Sequence, residues 1–246
     1  MVSVTDFHSH VLPGIDDGSG SVEESIAMLR LEAEQGIRRV IATPHFYAQY
    51  ETPEEFLRKR NRAEARLRKA IEGCEGLPKL GVGAEVYFFR GMSQSDFLPW
   101  LTIRGKRCIL IEMPPAPWTE DVYRELAAIR ERQGLIPIIA HIDRYIAPLR
   151  TYGIPRKLAE LPVLVQANAG FFLEKSTAGM AIRMLKADQI HLLGSDCHNM
   201  TSRTPNLQAA MDCIREKLGD APLRRIRRYE RQILGDQGDP RHVRME

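Results

Sequence analysis

The chain has 246 residues, 43% of them hydrophobic and 27% charged, and a formal net charge of +3. This length suits one α/β domain over residues 1–246, and the mild charge tolerates an anionic substrate without demanding nucleic acid. No window reaches the roughly 18 apolar residues of a membrane span, no basic segment marks a signal peptide, and four cysteines without a CxxC pair point to the cytoplasm.

In chain order, a β-rich run over residues 2–7 leads into His8-Ser9-His10, with Asp16 and Asp17 in the loop beyond. Ser21-Val-Glu-Glu24 is a capping box, in which Ser21 and Glu24 each satisfy an unpaired amide of the first turn. Val22, Ile26, Leu29 and Ala33 follow at helical spacing, and Gly36 supplies the stop. A strand over residues 38–43 reaches Pro44-His45. Thr52-Pro-Glu-Glu55 then opens a second helix, with Phe56, Arg60, Ala63, Leu67 and Ala70 on successive turns.

Strands over residues 80–84 and 108–111 reach Glu85 and Glu112, and a helix is expected over 120–133. The strand over 136–140 reaches His141, with Arg144 in the loop beyond; the strand over 163–167 delivers no such residue. After a helix over 176–186, the strand over 190–194 reaches Ser195-Asp196-Cys197-His198, with Arg203 in the following loop. Helices over 207–218 and 223–234 close the chain. The arginines of the last helix read as a solvated face, with Leu223, Ile226 and Ile233 turned inward. About seven strand–helix alternations argue for an α/β barrel or a doubly wound sheet.

Six of these seven strands end in an imidazole or carboxylate, on the side where parallel barrels build active sites. His8 and His10, two apart on a strand, point the same way and can reach one ion. Each residue alone is weak evidence. Together they are costly to bury without metal, since uncompensated charges would converge on one small region. Such donors suit zinc, manganese or iron, and a carboxylate can bridge two ions. Ions of this kind supply hydroxide at neutral pH and neutralise a phosphoryl group during its displacement. Arg144 and Arg203, in loops on the same side, read either as solvated loop arginines or as phosphate binders, for which the guanidinium fork is well shaped.

The segment Cys197–Arg203 also matches the C-x5-R signature of cysteine-dependent phosphatases. It contains no glycine for a phosphate-cradling loop, Asp196 disfavours a neighbouring thiolate, and strand alternation turns Cys197 away if Asp196 and His198 share a face. A metal-dependent mechanism is expected instead.

The ordered motifs Asp6-Phe-His-Ser-His10, Ile15-Asp-Asp-Gly18, Thr43-Pro-His45, Gly83-Ala-Glu-Val-Tyr87, Leu110-Ile-Glu112, Ala140-His-Ile-Asp-Arg-Tyr145 and Ser195-Asp-Cys-His-Asn199 resemble the PHP-domain phosphatases. Within that superfamily the chain is similar to the CpsB/CapC group of bacterial protein-tyrosine phosphatases of capsule and exopolysaccharide synthesis. The resemblance runs from Asp6 to about Arg203. It implies a distorted (β/α)7 barrel of the PHP fold with three divalent ions, usually manganese.

By the same resemblance, His8, His10, Glu85 and Asp196 hold the first ion. Glu85 bridges to a second held by Glu112 and His141, while Asp17, His45 and His198 hold the third. Asp17 is chosen over Asp16 on the resemblance alone. Arg144 and Arg203 bind phosphate, and Asp143 stands where relatives often carry Glu. The implied reaction is hydrolysis of phosphotyrosine by metal-bound hydroxide, with a tyrosine-phosphorylated protein, a bacterial tyrosine kinase, as partner. The rival readings are another PHP phosphoesterase, such as a histidinol-phosphate phosphatase or a nuclease-like domain, and a non-catalytic metal-binding regulator.

Overall fold

Short apolar runs covered on both faces become parallel strands here, as buried β-structure requires. The computed structural model describes residues 3–146 and 151–235. Its strands are β1 (Asp6–Ser9), β2 (Arg39–Ala42), β3 (His45–Phe46), β4 (Lys79–Val82), β5 (Glu85–Tyr87), β6 (Cys108–Glu112), β7 (Ile136–Ile139), β8 (Leu164–Asn168) and β9 (Leu192–Gly194). β2 and β3 are halves of one path interrupted at Thr43-Pro44, where proline has no amide to donate. β4 and β5 are likewise halves of the next path. β2 pairs with β4 and β3 with β5, all parallel.

With each broken path counted once, seven strand paths run in the order β1, β2/β3, β4/β5, β6, β7, β8, β9. The ring closes just beyond β9, where Ser9 bridges Cys197 and the Asp196 amide donates to the His8 carbonyl at 2.8 Å. This is the expected distorted seven-stranded barrel. The first strand, however, begins at Asp6 and not near residue 2. The Thr5 amide is taken by the Glu230 carboxylate at 2.7 Å, so it joins no strand ladder; Val2 lies outside the described residues.

The helices are α1 (Val22–Glu34), α2 (Pro53–Ala70), α3 (Glu120–Gln133), α4 (Asp143–Ile146), α5 (Ile154–Ala159), α6 (Gly170–Leu173), α7 (Ala178–Lys186), α8 (Leu207–Leu218) and α9 (Ala221–Leu234). α2 opens with the full reciprocal capping box of Thr52 and Glu55. α1 makes half of one: Ser21 accepts from the Glu24 amide, but Glu24 accepts from Gly20 instead of Ser21. The buried face of α1 is Ser25, Met28, Leu29 and Glu32, rotated from the apolar stripe read in the sequence. The three short helices α4, α5 and α6 are too brief to show a helical period.

Two apolar layers support the strands. Phe7, Ile41, Leu110, Ile138, Leu164 and Leu192 fill the barrel. Val40, Ile109, Ile139, Val165 and Leu193 face the helices, against residues such as Met28, Leu67, Leu126 and Ile214. At the β4/β5 interruption, buried Arg60 of α2 donates to the Gly83 carbonyl at 3.0 Å, which satisfies a group the ladder leaves free. Glu85 resumes the strand two residues later.

Candidate metal centre

The strand ends converge on one cluster. His8 leaves β1 fully buried and His10 follows it. Their Nε2 atoms face each other at 3.1 Å. Glu85 Oε2 lies 3.1 Å from His8 Nε2 and 3.3 Å from His10 Nε2, and Asp196 Oδ1 lies 3.5 Å from both. Donors around an ion with bonds of about 2.1 Å are separated by roughly 3.4 Å in a tetrahedron. This set has that spacing.

The remaining donors surround it. His141 Nε2 lies 2.7 Å from Glu85 Oε1 and 3.8 Å from Glu112 Oε1. His45 Nδ1 lies 2.9 Å from Glu85 Oε2, and its Nε2 lies 3.4 Å from Asp17 Oδ1. His198 Nε2 is 3.5 Å from the same Asp17 oxygen. Donor atoms fall within 4.8 Å of one another in the sets His8–His10–Asp196, His8–Glu85–His141, His45–Glu85–Glu112 and His10–Asp17–His45–His198. All nine expected ligands therefore meet in one place, with His10 also close to the third group.

The residues fit metal on a further ground. Glu85 Oε2 and His198 Nε2 are buried without a hydrogen bond of acceptable geometry. Such orphaned atoms are rare unless something else binds them. The other ring nitrogens are already committed, which leaves the facing ones free to ligate. His8 Nδ1 lies 3.3 Å from Gln166 Oε1, His10 Nδ1 2.8 Å from Asp16 Oδ2, His198 Nδ1 2.9 Å from the Asp196 carbonyl and His141 Nδ1 3.0 Å from the Tyr145 hydroxyl.

Electrostatics favour the charged form of Glu85 and Asp196. Burial pushes Glu85 upward, but His8 and the adjoining imidazoles of His10, His141 and His45 hold it well below the ordinary range. Burial acts likewise on Asp196, and His8, His10 and Arg144 outweigh it. Burial opposes the charged form of His10, while Asp16, Asp196 and Glu85 raise it well above its usual value. Glu112 is raised, first by burial and then by the charge of Glu85.

The backbone is bent to aim these groups. His141 and Asp196 adopt φ of 29° and 53°, in the left-handed region that side chains enter reluctantly. Gly194 is needed for close approach, since a Cβ there would stand 2.6 Å from His8 Cβ. Asp6 binds the His8 amide at 3.0 Å and the Ser195 amide at 2.9 Å, tying β1 to the end of β9.

Arg144 and Arg203 both reach Asp196 Oδ2, Arg203 at 2.7 Å. Arg144 lies in α4 and not in a loop, because the chain turns helical immediately after His141. Arg203 is folded back by Asn199, whose Oδ1 accepts from the amides of Thr201, Ser202 and Arg203. With Asn168, Ser202 and Thr204, the two arginines line a polar cavity of about 580 Å³ beside the cluster.

Three supporting residues escaped sequence reasoning. Gln166 also accepts from the His141 amide at 2.7 Å, and Asn168 donates to Asp196 Oδ2 at 3.0 Å. Both lie on β8, the strand that offered no ligand; a polar residue inside an apolar run was the available signal. Tyr145, which accepts from the Met113 amide at 2.9 Å, is the third. Cys197, in contrast, is fully buried, and burial with Asp6 and Glu32 nearby pushes its thiol well above the ordinary value.

The profile of a family described as capsular polysaccharide synthesis, CpsB/CapC, matches residues 4–234. The chain is 31% identical over 224 residues to the tyrosine-protein phosphatase CpsB of Streptococcus pneumoniae, covering 87% of this chain and 90% of that one. It is 30% identical to the tyrosine-protein phosphatase YwqE of Bacillus subtilis, covering 87% and 85%. A crystal structure from work on YwqE and CpsB, described as metal-dependent tyrosine phosphatases, superposes with a TM-score of 0.82 over 96% of both chains at 24% identity. Histidinol phosphate phosphatase of Lactococcus lactis, solved with zinc, L-histidinol and phosphate, gives a TM-score of 0.57 at 14% identity, over 88% of this chain and 94% of that one.

Proposed function

The chain belongs to the CpsB/CapC family of capsular polysaccharide synthesis, and from that premise we propose that it is a metal-dependent tyrosine phosphatase acting on phosphotyrosine in proteins. The observation that carries the reading is the convergence of imidazole and carboxylate donors at 3.1–3.5 Å beside two arginines. We assign three divalent ions to it, with manganese expected and iron or zinc accommodated by the same donors. His8, His10, Glu85 and Asp196 would hold the first ion, Glu85, Glu112 and His141 the second, and Asp17, His45 and His198 the third. Bound ions of this class supply a water of lowered pKa and offset phosphoryl charge.

The side chains of the protein do the rest. Glu85, fully buried and kept ionised, reaches His8, His10 and His45 through one oxygen and His141 through the other, so it would be placed to serve two ions. Arg144 and Arg203 are anchored on Asp196 Oδ2, which leaves further guanidinium N–H groups to orient phosphoryl oxygens. Asp196 holds the arginines with Oδ2 and would serve the ions with Oδ1, which faces His8 and His10. A phenolate leaving group, of pKa about 10, needs less protonation than an alkoxide, so no residue is assigned as general acid.

The family's link to capsular polysaccharide supports a tyrosine-phosphorylated bacterial kinase governing capsule or exopolysaccharide synthesis as the partner. Four unpaired cysteines accord with a cytoplasmic site of action. Among the described residues no helix is long and apolar enough to cross a membrane. The test is turnover of a phosphotyrosyl peptide against histidinol phosphate, with metal removed and manganese restored. Metal-dependent preference for the peptide is expected; preference for histidinol phosphate, or full activity in metal-free protein, would refute the reading.

A further inference from the structure

The mouth of the centre carries three tyrosines that the metal chemistry does not use. Tyr87 ends β5 and pairs in register with Glu112 of β6. Tyr47 follows β3, with its ring 5.3 Å from His45 and its hydroxyl 3.4 Å from Glu112 Oε2. It stands between two other rings, 5.5 Å from Tyr87 and 6.0 Å from Tyr50. Tyr50 is 81% exposed, more than any other large hydrophobic side chain among the described residues. Packing does not account for it there, since so exposed a ring buries little surface.

Glu112 links these rings to the phosphate-binding end. Its Oε2 faces Tyr47, while its Oε1 lies 3.9 Å from Arg144. A phosphoryl group at Arg144 and Arg203 therefore has aromatic surface one carboxylate away. In an aryl phosphate the ring is joined to phosphorus through a single oxygen, so it falls within reach of that surface. An alkyl phosphate presents a slender methylene chain there. Aromatic rings attract at centroid separations of about 4.5–7 Å, and the three tyrosines are already spaced in that range.

We propose that Tyr47, Tyr50 and Tyr87 form an aromatic wall that receives the phenyl ring of a phosphotyrosyl side chain and selects aryl over alkyl phosphate esters. This inference rests on the tyrosine-phosphatase reading and names the device behind its specificity. Tyr47 is fixed by its polar contacts, Tyr87 by its strand, and Tyr50 is the outer face free to settle against an entering ring.

The experiment compares kcat/KM for phosphotyrosyl and phosphoseryl peptides of one sequence, on manganese-loaded enzyme. Calorimetry with a peptide carrying the non-hydrolysable analogue phosphonodifluoromethyl-phenylalanine adds a binding readout. Tyr50→Ala should lower the tyrosine-to-serine ratio about 3- to 10-fold and weaken analogue binding by a similar factor, the scale of one lost ring contact. Tyr50→Phe should restore both, because the ring and not the hydroxyl acts. Tyr50→Ala with Tyr87→Ala should lose more, with metal content unchanged. Trp100→Ala, which removes a half-exposed ring outside the site, should leave the ratio alone. A wild-type enzyme without preference for phosphotyrosine overturns the underlying reading. A wild-type preference that survives the double variant, or a loss that Tyr50→Phe does not repair, overturns the wall alone.

Discussion

Asp16 Oδ2 lies 2.8 Å from His10 Nδ1, on the side of the ring away from the cluster. The carboxylate also accepts from the amides of Gly18 and His45, so it is fixed before it fixes the imidazole. Asp17 points the other way, 67% exposed, with one oxygen near both His45 and His198. On the proposed assignment the two neighbours have different tasks, orientation for Asp16 and ligation for Asp17. Asp16→Asn should weaken metal affinity about 10- to 100-fold while keeping full stoichiometry at saturation, the usual cost of a lost supporting partner. Asp17→Asn should lower the number of ions bound. Titration of metal-free protein with manganese, followed by elemental analysis, distinguishes them; identical behaviour of the two variants would contradict the assignment.

Cys197 and His141 separate the metal mechanism from the C-x5-R motif. Cys197 is sealed beneath the site beside Asp6 and Glu32, where a thiolate is strongly disfavoured. Cys197→Ser should therefore keep most activity. His141 sits at φ 29°, so asparagine, which tolerates that backbone better than alanine, is the cleaner replacement. His141→Asn should lose at least about 100-fold in kcat/KM, the scale for disturbing a metal ligand. A dead Cys197→Ser beside an active His141→Asn would reverse the assignment.

The candidate ligands other than Asp17, which lies in the loop after β1, were legible because each sits where a short apolar strand ends, and imidazoles and carboxylates there are conspicuous. Their supports were less so. Gln166 and Asn168 carry amides, which announce no metal, and they lie inside the run that forms β8. Local pattern puts Arg144 in a loop because α4 spans only Asp143–Ile146, too short to show a helical period. The broken strands β2/β3 and β4/β5 depend on pairing with neighbours and on Arg60 reaching Gly83, neither visible to local pattern. The buried face of α1 departs from its apolar stripe because Glu32, charged and so expected outside, is fully buried in the fold, where burial and Asp6 push its carboxyl well up.

Glu230 gives stability an unusual pH dependence. It is fully buried, holds the Thr5 amide and pairs with Arg227, yet burial outweighs these partners and raises its carboxyl to about 7. A carboxyl raised on folding favours the native state while protonated. Its contribution is full below about pH 4.5 and is lost as pH climbs toward 7. The loss is on the order of 2–3 kcal/mol. Glu230→Gln keeps an acceptor for Thr5 but does not titrate. Urea unfolding of both proteins between pH 4.5 and 7.5, at fixed metal, should show wild-type stability falling relative to the variant by that amount. Parallel curves would show that Glu230 remains ionised throughout.

Arg144 and Arg203 meet on one oxygen of Asp196, and that shared anchor shapes the effect of removing either. Asp196 holds each guanidinium in place before substrate arrives, so in the proposed role the remaining N–H groups would meet the phosphoryl oxygens without reorganisation. Losing one should cost on the order of 2–4 kcal/mol of transition-state stabilisation, about 30- to 1,000-fold in kcat/KM. Lysine should rescue only partly, because a point charge cannot serve Asp196 and the phosphoryl group together as a planar fork does. Metal content should hold, since Asn168 and the other arginine still orient Asp196 Oδ2. The measurement is kcat/KM on a phosphotyrosyl peptide, with elemental analysis, for Arg144→Ala, Arg144→Lys, Arg203→Ala and the double alanine variant. Because the arginines share an anchor and a target, the double variant should lose less than the product of the single losses. Near wild-type rates in both single alanine variants would return the arginines to a purely electrostatic role toward Asp196, with phosphoryl binding left to the metal centre.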